Sequence, residues 1–340
     1  MGITQPSGAG QAREAGLPGP GWLEPQLATL TKDRFSDPAW VYERKLDGER
    51  CLAYRSGSGV LLMTRNQHDV SRTYPEVRDA LATAPSADFV CDGEIVAFDD
   101  GATSFSRLQQ RLGVHDPGEE LRRRVPVCYY VFDLLYADGQ DVRARPLLER
   151  KKLLAEKLSF GDPVRFTEHR EGDGVAYYEQ ACRQGWEGLI AKRAGAPYRS
   201  GRTKDWLKFK CENSQEFLIG GFTDPQGSRT HFGALLLGYY DKQGRLVYAG
   251  KVGTGFSEAT LASLGQAMRK LERNDPPFDP ALLPRPSNGG PPRRGVHWTE
   301  PNLVAQVGFS EWTGAGQLRH PRYLGLRDDK DPAAVVRELG

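Results

Sequence analysis

The stretch Glu43-Arg44-Lys45-Leu46-Asp47-Gly48-Glu49-Arg50 sets a lysine between two carboxylates at two-residue spacing. On a strand, that spacing puts Glu43, Lys45 and Asp47 on one face and turns Leu46 to the core. The Asp-Gly pair then ends the strand in a turn. Such a lysine is either a nucleophile or an ion-pair partner, and for an isolated K-x-D-G the ion pair is the commoner role. Asp205-Trp206-Leu207-Lys208-Phe209-Lys210 alternates in the same way and puts Lys208 and Lys210 on one face. Two such charges repel by about 0.2–1 kcal/mol unless an anion lies between them, and a phosphate is the natural anion. Residues 192–210 hold seven basic residues and one acidic residue, with Tyr198, Trp206 and Phe209 among them. The plain alternative is a solvated basic face. Asp92-Gly93-Glu94 and Trp186-Glu187-Gly188 each place a carboxylate at the start of an apolar run. Each acid is a turn residue taken singly; together Glu94 and Glu187 offer the oxygen ligands magnesium prefers. Tyr129–Tyr136 is rich in aromatic residues, which pack a core or stack on a base.

These side chains need rigid elements to hold them. Val41–Leu46, Val60–Thr64, Phe89–Phe98, Val127–Leu135 and Trp206–Lys210 read as strands from their β-branched and aromatic content. Helical spacing occupies Tyr74–Ala84, Leu147–Lys157 and Val175–Gln184. Strands and helices mix without βαβ repetition, so the class is α+β. Beyond about residue 213 the pattern changes. Phe217–Phe222, Ala234–Tyr240, Leu246–Val252, Val296–Trp298 and Leu303–Phe309 are short strands, with one helix at Glu258–Glu272. That content suits a small barrel of the oligonucleotide-binding (OB) kind. Residues 276–295, with seven prolines and three glycines, read as an exposed loop. The expected organisation is a disordered tail over 1–21, a first domain over 22–213 and an OB-fold domain over 214–340, with a hinge in Cys211–Gln215.

Composition sets the outer limits. The chain has 340 residues, 39% apolar and 26% charged, enough for about two domains with real cores. No apolar run is long enough for a bilayer. The five cysteines include no C-x-x-C pair, so neither a zinc knuckle nor a disulfide framework is indicated, and a reducing cytoplasm fits. The net charge of +2 says nothing about nucleic acid, so any such contact must come from local patches.

In order and spacing, the five stretches resemble the ATP-dependent DNA ligases of the covalent nucleotidyltransferase superfamily. The resemblance runs from about Leu27 to Lys330. It implies antiparallel sheets with flanking helices in an adenylation domain, followed by the OB-fold domain. It makes Lys45 the adenylated nucleophile and Glu43 the reader of the adenine amino group. Arg50 and Arg65 would contact the nucleotide. Glu94 would touch ribose and metal, and Glu187 would be the second metal acid. Phe132 would stack on adenine, and Arg202 and Lys208 would hold phosphate with Lys210 beside them. The run Leu318-Arg319-His320-Pro321-Arg322-Tyr323-Leu324-Gly325-Leu326-Arg327-Asp328-Asp329-Lys330 is similar to the last ligase motif, with Arg322, Arg327 and Lys330 orienting the leaving pyrophosphate. With Trp312-Thr313 just upstream, the subtype it resembles is bacterial ligase D, which acts in end joining. The cofactors implied are ATP and Mg2+ or Mn2+. The partners implied are nicked duplex or DNA ends and a Ku-like end-binding protein, for a monomer in the bacterial cytoplasm. An RNA ligase or a capping-type nucleotidyltransferase on the same scaffold is the alternative.

The chemistry needs an uncharged lysine. At a pKa of about 10.4, only about one in a few thousand lysines is neutral at pH 7. Desolvation and nearby cations (Lys208, Lys210, a metal ion) are expected to lower the pKa of Lys45, while Asp47 pulls the other way and serves to position it by hydrogen bonding.

Overall fold

The computed structural model describes residues 21–225, 227 and 229–338. The expected disordered tail lies, Gly21 apart, outside them. The chain forms two compact units. Of the described residues, one comprises 21–29 together with Asp33–Lys208, and the other Leu30–Lys32 with those from Phe209 onward. The division therefore falls inside the strand Gly201–Lys210, ahead of the Cys211–Gln215 stretch expected as a hinge.

The first unit holds two five-strand paths. One orders Gln26–Leu30, Gly201–Lys210, Gly188–Arg193, Trp40–Arg44 and His169–Glu171. The other orders Gly59–Thr64, Glu49–Ser56, Asp88–Asp99, Val127–Ala137 and Gln140–Asp141. Val164–Phe166 adds to Val127–Ala137 in parallel, a departure from the antiparallel sheets expected. Glu49–Ser56 is buried on both faces. Cys51 and Ala53 join a core with Tyr74, Phe89 and Tyr129, while Leu52 and Tyr54 join another with Phe132, Tyr198 and Trp206. A strand covered on both sides carries no apolar–polar alternation, which is why it was not among the strands read from sequence. The helices are Pro75–Leu81, Phe105–Leu108, Glu119–Arg124, Leu147–Lys157 and Gly174–Arg183. The first starts at Pro75 rather than Tyr74, since proline is favoured in the opening turn, where its missing N–H costs nothing.

The second unit orders Leu246–Val252, Leu235–Tyr240, Asn213–Thr223, Val296–Thr299 and Glu272–Arg273, and Val304–Phe309 bridges Asn213–Thr223 to Arg322–Leu326. Its helix Glu258–Arg269 is capped by Ser257 Oγ, which accepts from the Thr260 amide. This is the strand-rich, single-helix content of an OB-fold domain. Residues 276–295 are not wholly exposed. Phe278 is buried over Gly220, where a Cβ would sit 2.4 Å from its ring, so one aromatic ring anchors the proline-rich loop to the sheet.

Candidate active site

The strand Trp40–Arg44 ends one residue before Lys45. The Lys45 amide donates to the Gly188 carbonyl at 2.9 Å, which ties it to the neighbouring strand Gly188–Arg193 just after Glu187. The Lys45 ammonium donates to Glu187 Oε2 at 2.5 Å, and both side chains keep about a fifth of their surface exposed. On the opposite face of the strand, the Arg44 guanidinium lies over the Trp186 ring at 4.5 Å. That stack braces the residue beside Glu187.

Gly48 shows why the Asp-Gly pair is needed, and the reason differs from the turn expected. A Cβ there would meet the Ile95 carbonyl oxygen at 2.2 Å, so close backbone approach excludes a side chain. Asp47 Oδ2 accepts from the Phe105 amide at 3.1 Å, and the Asp47 amide donates to Thr103 Oγ1 at 3.2 Å. Asp47 thus fixes the course of the chain after Lys45.

The expected downward shift of the Lys45 pKa is not what this arrangement gives. Burial pulls it down, but Glu187, through charge and hydrogen bond, and then Asp47 and Glu94 outweigh burial and leave the ammonium above its ordinary value. The carboxylates around the lysine win over desolvation.

Glu43 does not share this cluster. It is buried, with Oε1 accepting from Lys151 Nζ at 2.7 Å and Oε2 paired with Lys192 Nζ at 2.6 Å. Burial raises its pKa, but the two lysines overcome this and hold it below the usual carboxylate value. Burial pulls Lys192 down to about 8 despite Glu43. Its ammonium lies over the rings of Phe132 and Trp206 at 4.2 and 4.1 Å.

Phe132 is likewise buried, and its ring is covered by the Arg50 guanidinium at 4.5 Å as well as by Lys192. Cations occupy the ring expected to stack on a base. Arg50 grips Asp92 with two hydrogen bonds of 2.5 and 2.6 Å. Asp92 also accepts from the Tyr198 hydroxyl at 2.6 Å, and Tyr198 accepts from the Gln26 amide. Directly across the strands, Asp92 faces Asp133, whose carboxylate is matched by Arg150 at 2.7 and 2.8 Å with all atoms buried. Each of two adjacent buried aspartates therefore has its own arginine.

Glu94 stands opposite Arg50 in the pairing of Glu49–Ser56 with Asp88–Asp99, and its charge acts on both Lys45 and Arg50. Arg65 sits in the turn after Gly59–Thr64. Arg202 is exposed and donates to the Ala28 carbonyl at 2.5 Å. Lys208 is half-buried on its strand.

In the second unit, the cations expected at phosphate have protein partners. Lys210 is buried and donates to the Ser214 carbonyl at 2.5 Å, with Glu338 Oε2 at 3.5 Å, so it does not stand bare on a shared face as alternation implied. Arg322 meets Glu212 at 3.4 Å, Lys330 meets Glu216 at 3.3 Å, and Arg327 holds Asp329 through two bonds of 2.8 Å.

Sequence reasoning missed Lys151, Asp92, Tyr198 and Arg150 as members of this network. Asp92 carried a signal, since it lies two residues from Glu94 on a strand. Lys151 carried none, being one of several lysines on a helix.

The comparisons agree with this layout. Residues 25–210 match the ATP dependent DNA ligase domain, and residues 228–330 the ATP dependent DNA ligase C terminal region. The chain is 38% identical over 327 residues to the multifunctional non-homologous end joining protein LigD of Pseudomonas aeruginosa, covering 94% of this chain and 37% of that protein. It is 38% identical over 320 residues to the Mycobacterium tuberculosis LigD, covering 93% of this chain and 40% of that protein. It thus spans well under half the length of these relatives. A solved structure of mycobacterial DNA ligase D complexed with ATP and MES aligns over 93% of this chain and 98% of its own, at 36% identity and a TM-score of 0.66. A nucleotidyltransferase unit followed by an OB-fold unit is the architecture of the ATP-dependent ligases matched. The chain belongs to the ATP-dependent DNA ligases. Both matched models are those of DNA ligases rather than of RNA ligases or capping enzymes. Among the described residues, no helix is long and apolar enough to cross a membrane.

Proposed function

We propose that Lys45 attacks the α-phosphorus of ATP, forming a lysyl-AMP bond as pyrophosphate leaves. The AMP then passes to a DNA 5′-phosphate, and a 3′-hydroxyl displaces it as the phosphodiester forms. The observation that carries this reading is Lys45 itself. It lies at a strand end, its backbone is fixed by Gly188, and three carboxylates act on its ammonium.

The amine must shed a proton before it can attack, and the Glu187 carboxylate already faces that proton. Glu94 and Glu187 are the residues that would hold Mg2+ or Mn2+. Among the described residues, no group of three or more His, Cys, Asp or Glu gathers as a metal site. Magnesium takes one or two carboxylates and completes its shell with substrate phosphates and water, so two carboxylates suffice. When bound, such an ion supplies positive charge that offsets the charge developing on the phosphates and opposes the ammonium form of lysine. Asp47 keeps the lysine on its path. Arg50, Arg65 and Phe132 serve the nucleoside side, and Glu43 the adenine amino group. Arg202, Lys208 and Lys210 serve the transferred phosphate, and Arg322, Arg327 and Lys330 the pyrophosphate. End joining is the repair setting, supported by the relatives' descriptions, and a Ku-like end-binding protein would be the partner there.

Intact-mass analysis tests the first step. The protein given ATP and Mg2+ gains one AMP, and Lys45→Ala gains none. Labelling by GTP but not ATP, or labelling of Lys45→Ala, would overturn the reading. Sealing of nicked duplex and of DNA ends then tests the later steps, with failure on every DNA substrate as the refuting result.

A further inference from the structure

Lys151 lies in the helix Leu147–Lys157 and is buried. Its ammonium reaches three acceptors: Glu43 Oε1 at 2.7 Å, the Thr167 carbonyl at 3.0 Å and the Phe132 carbonyl at 3.5 Å. An ammonium has three protons to give, so this group is used up. The Phe132 carbonyl is available because the strand carries a bulge there. The pairing shifts between Asp92–Asp133 and Gly93–Val131, leaving Phe132 without a partner across the ladder. The same lysine therefore spans a helix, a bulge, the segment around Thr167 and the strand that leads to Lys45.

Lys192 also meets Glu43, but differently. Its ammonium meets Glu43 Oε2 at 2.6 Å and otherwise rests on two ring faces, reaching no backbone carbonyl among the described residues. It adds charge to Glu43 but does not link it to the backbone of another element. Only Lys151 ties a carboxylate oxygen to fixed backbone.

We infer that Lys151 is a positioning residue for base selection: it holds the Glu43 carboxylate in the orientation in which it accepts from a purine 6-amino group. The inference rests on the reading of Glu43 as the base-recognising acid. Without Lys151, the carboxylate is left to Lys192 alone and can turn toward it. Loss of a charged hydrogen bond of this kind is worth about tenfold or more in selectivity.

The test compares self-adenylation by ATP with that by purine riboside triphosphate, which lacks the 6-amino group. Glu43→Gln establishes whether discrimination runs through Glu43. Lys151→Met should reduce the preference for ATP by about tenfold, with the change in KM exceeding that in kcat. Adding it to Glu43→Gln should change the preference no further, because both act through one carboxylate. A preference altered by Glu43→Gln but unmoved by Lys151→Met refutes the role of Lys151 alone. A preference unmoved by Glu43→Gln refutes the reading of Glu43 beneath it. Should Lys151→Met not fold, Lys151→Gln is measured in the same way, and failure of both to fold overturns positioning in favour of a purely structural post.

Discussion

Replacing Glu187 by glutamine should push the reactivity of Lys45 in opposite directions in two assays. In the protein without nucleotide, Glu187 is the chief group that keeps Lys45 protonated, against a burial that favours the neutral amine. The pair is about four-fifths buried on both sides, so solvent screening trims the interaction without removing it. A hydrogen bond between charged groups is worth about 1.5–3 kcal/mol, and one pKa unit corresponds to about 1.4 kcal/mol. The lysine pKa should therefore fall in Glu187→Gln, raising the neutral fraction of the amine at pH 8. The assay is competitive acetylation by a small neutral reagent, with Lys45 followed by peptide mass mapping across pH and nucleotide absent. Acetylation of Lys45 should speed up in the variant and its pH midpoint should move down. Adenylation by ATP and Mg2+ should fall by at least about tenfold, because the same carboxylate is the proposed metal ligand. Equal acetylation profiles for the two proteins would refute the claim that Glu187 sets the charge of the nucleophile.

Three further outcomes follow from the packing. Gly93 lies between Asp92 and Glu94, and a Cβ there would be 2.5 Å from both the Tyr129 ring and the Tyr130 carbonyl; Gly93→Ala should cost about 1–3 kcal/mol or more, seen as a Tm lowered by about 2–4 °C per kcal/mol. Asp133→Asn strands the buried Arg150 guanidinium and should lower urea-unfolding stability by about 3–5 kcal/mol, whereas a loss under about 1 kcal/mol would show that the pair is not the closed unit described. Lys192 has a folded pKa lowered to about 8, so above that pH the unfolded chain binds more protons at this site. Its contribution to stability therefore rises with pH from about 8 toward the ordinary lysine value, by up to about 1.4 kcal/mol per unit. Lys192→Met should flatten the pH dependence of the urea midpoint between pH 8 and 10, and parallel curves for the two proteins would contradict this.

The fold was largely legible in the sequence because most elements carry a simple period. Leu147–Lys157 and Leu246–Val252 have the bounds expected from their spacing. Glu49–Ser56 was invisible for a physical reason, since a strand packed on both faces has no polar side to mark it. The candidate site was legible as a set of motifs but not as a wiring diagram. Alternation suggested that Glu43 and Lys45 share a face, yet the strand stops at Arg44, and the two charges go to separate partners, Lys151 with Lys192 and Glu187. Those partners lie over a hundred residues along the chain, a distance at which local spacing carries no information. The expected pKa direction for Lys45 failed on the same ground, because the nearest charges are carboxylates supplied by tertiary structure rather than the lysines its motifs suggested.

The paired cations of the second unit have a consequence for selectivity. Lys210, Arg322, Arg327 and Lys330 each already lie beside a carboxylate, so the unit resembles an ion exchanger that arrives loaded with its own counter-ions. A ligand reaching these residues has to displace them one exchange at a time. A lone sulfate or phosphate ion gains little from a single exchange, since one carboxylate leaves as one anion arrives. A polyphosphate chain that makes several exchanges at once keeps the advantage of connectivity. Salt in the cell would then occupy these positions poorly, and a multiply charged leaving group would occupy them well.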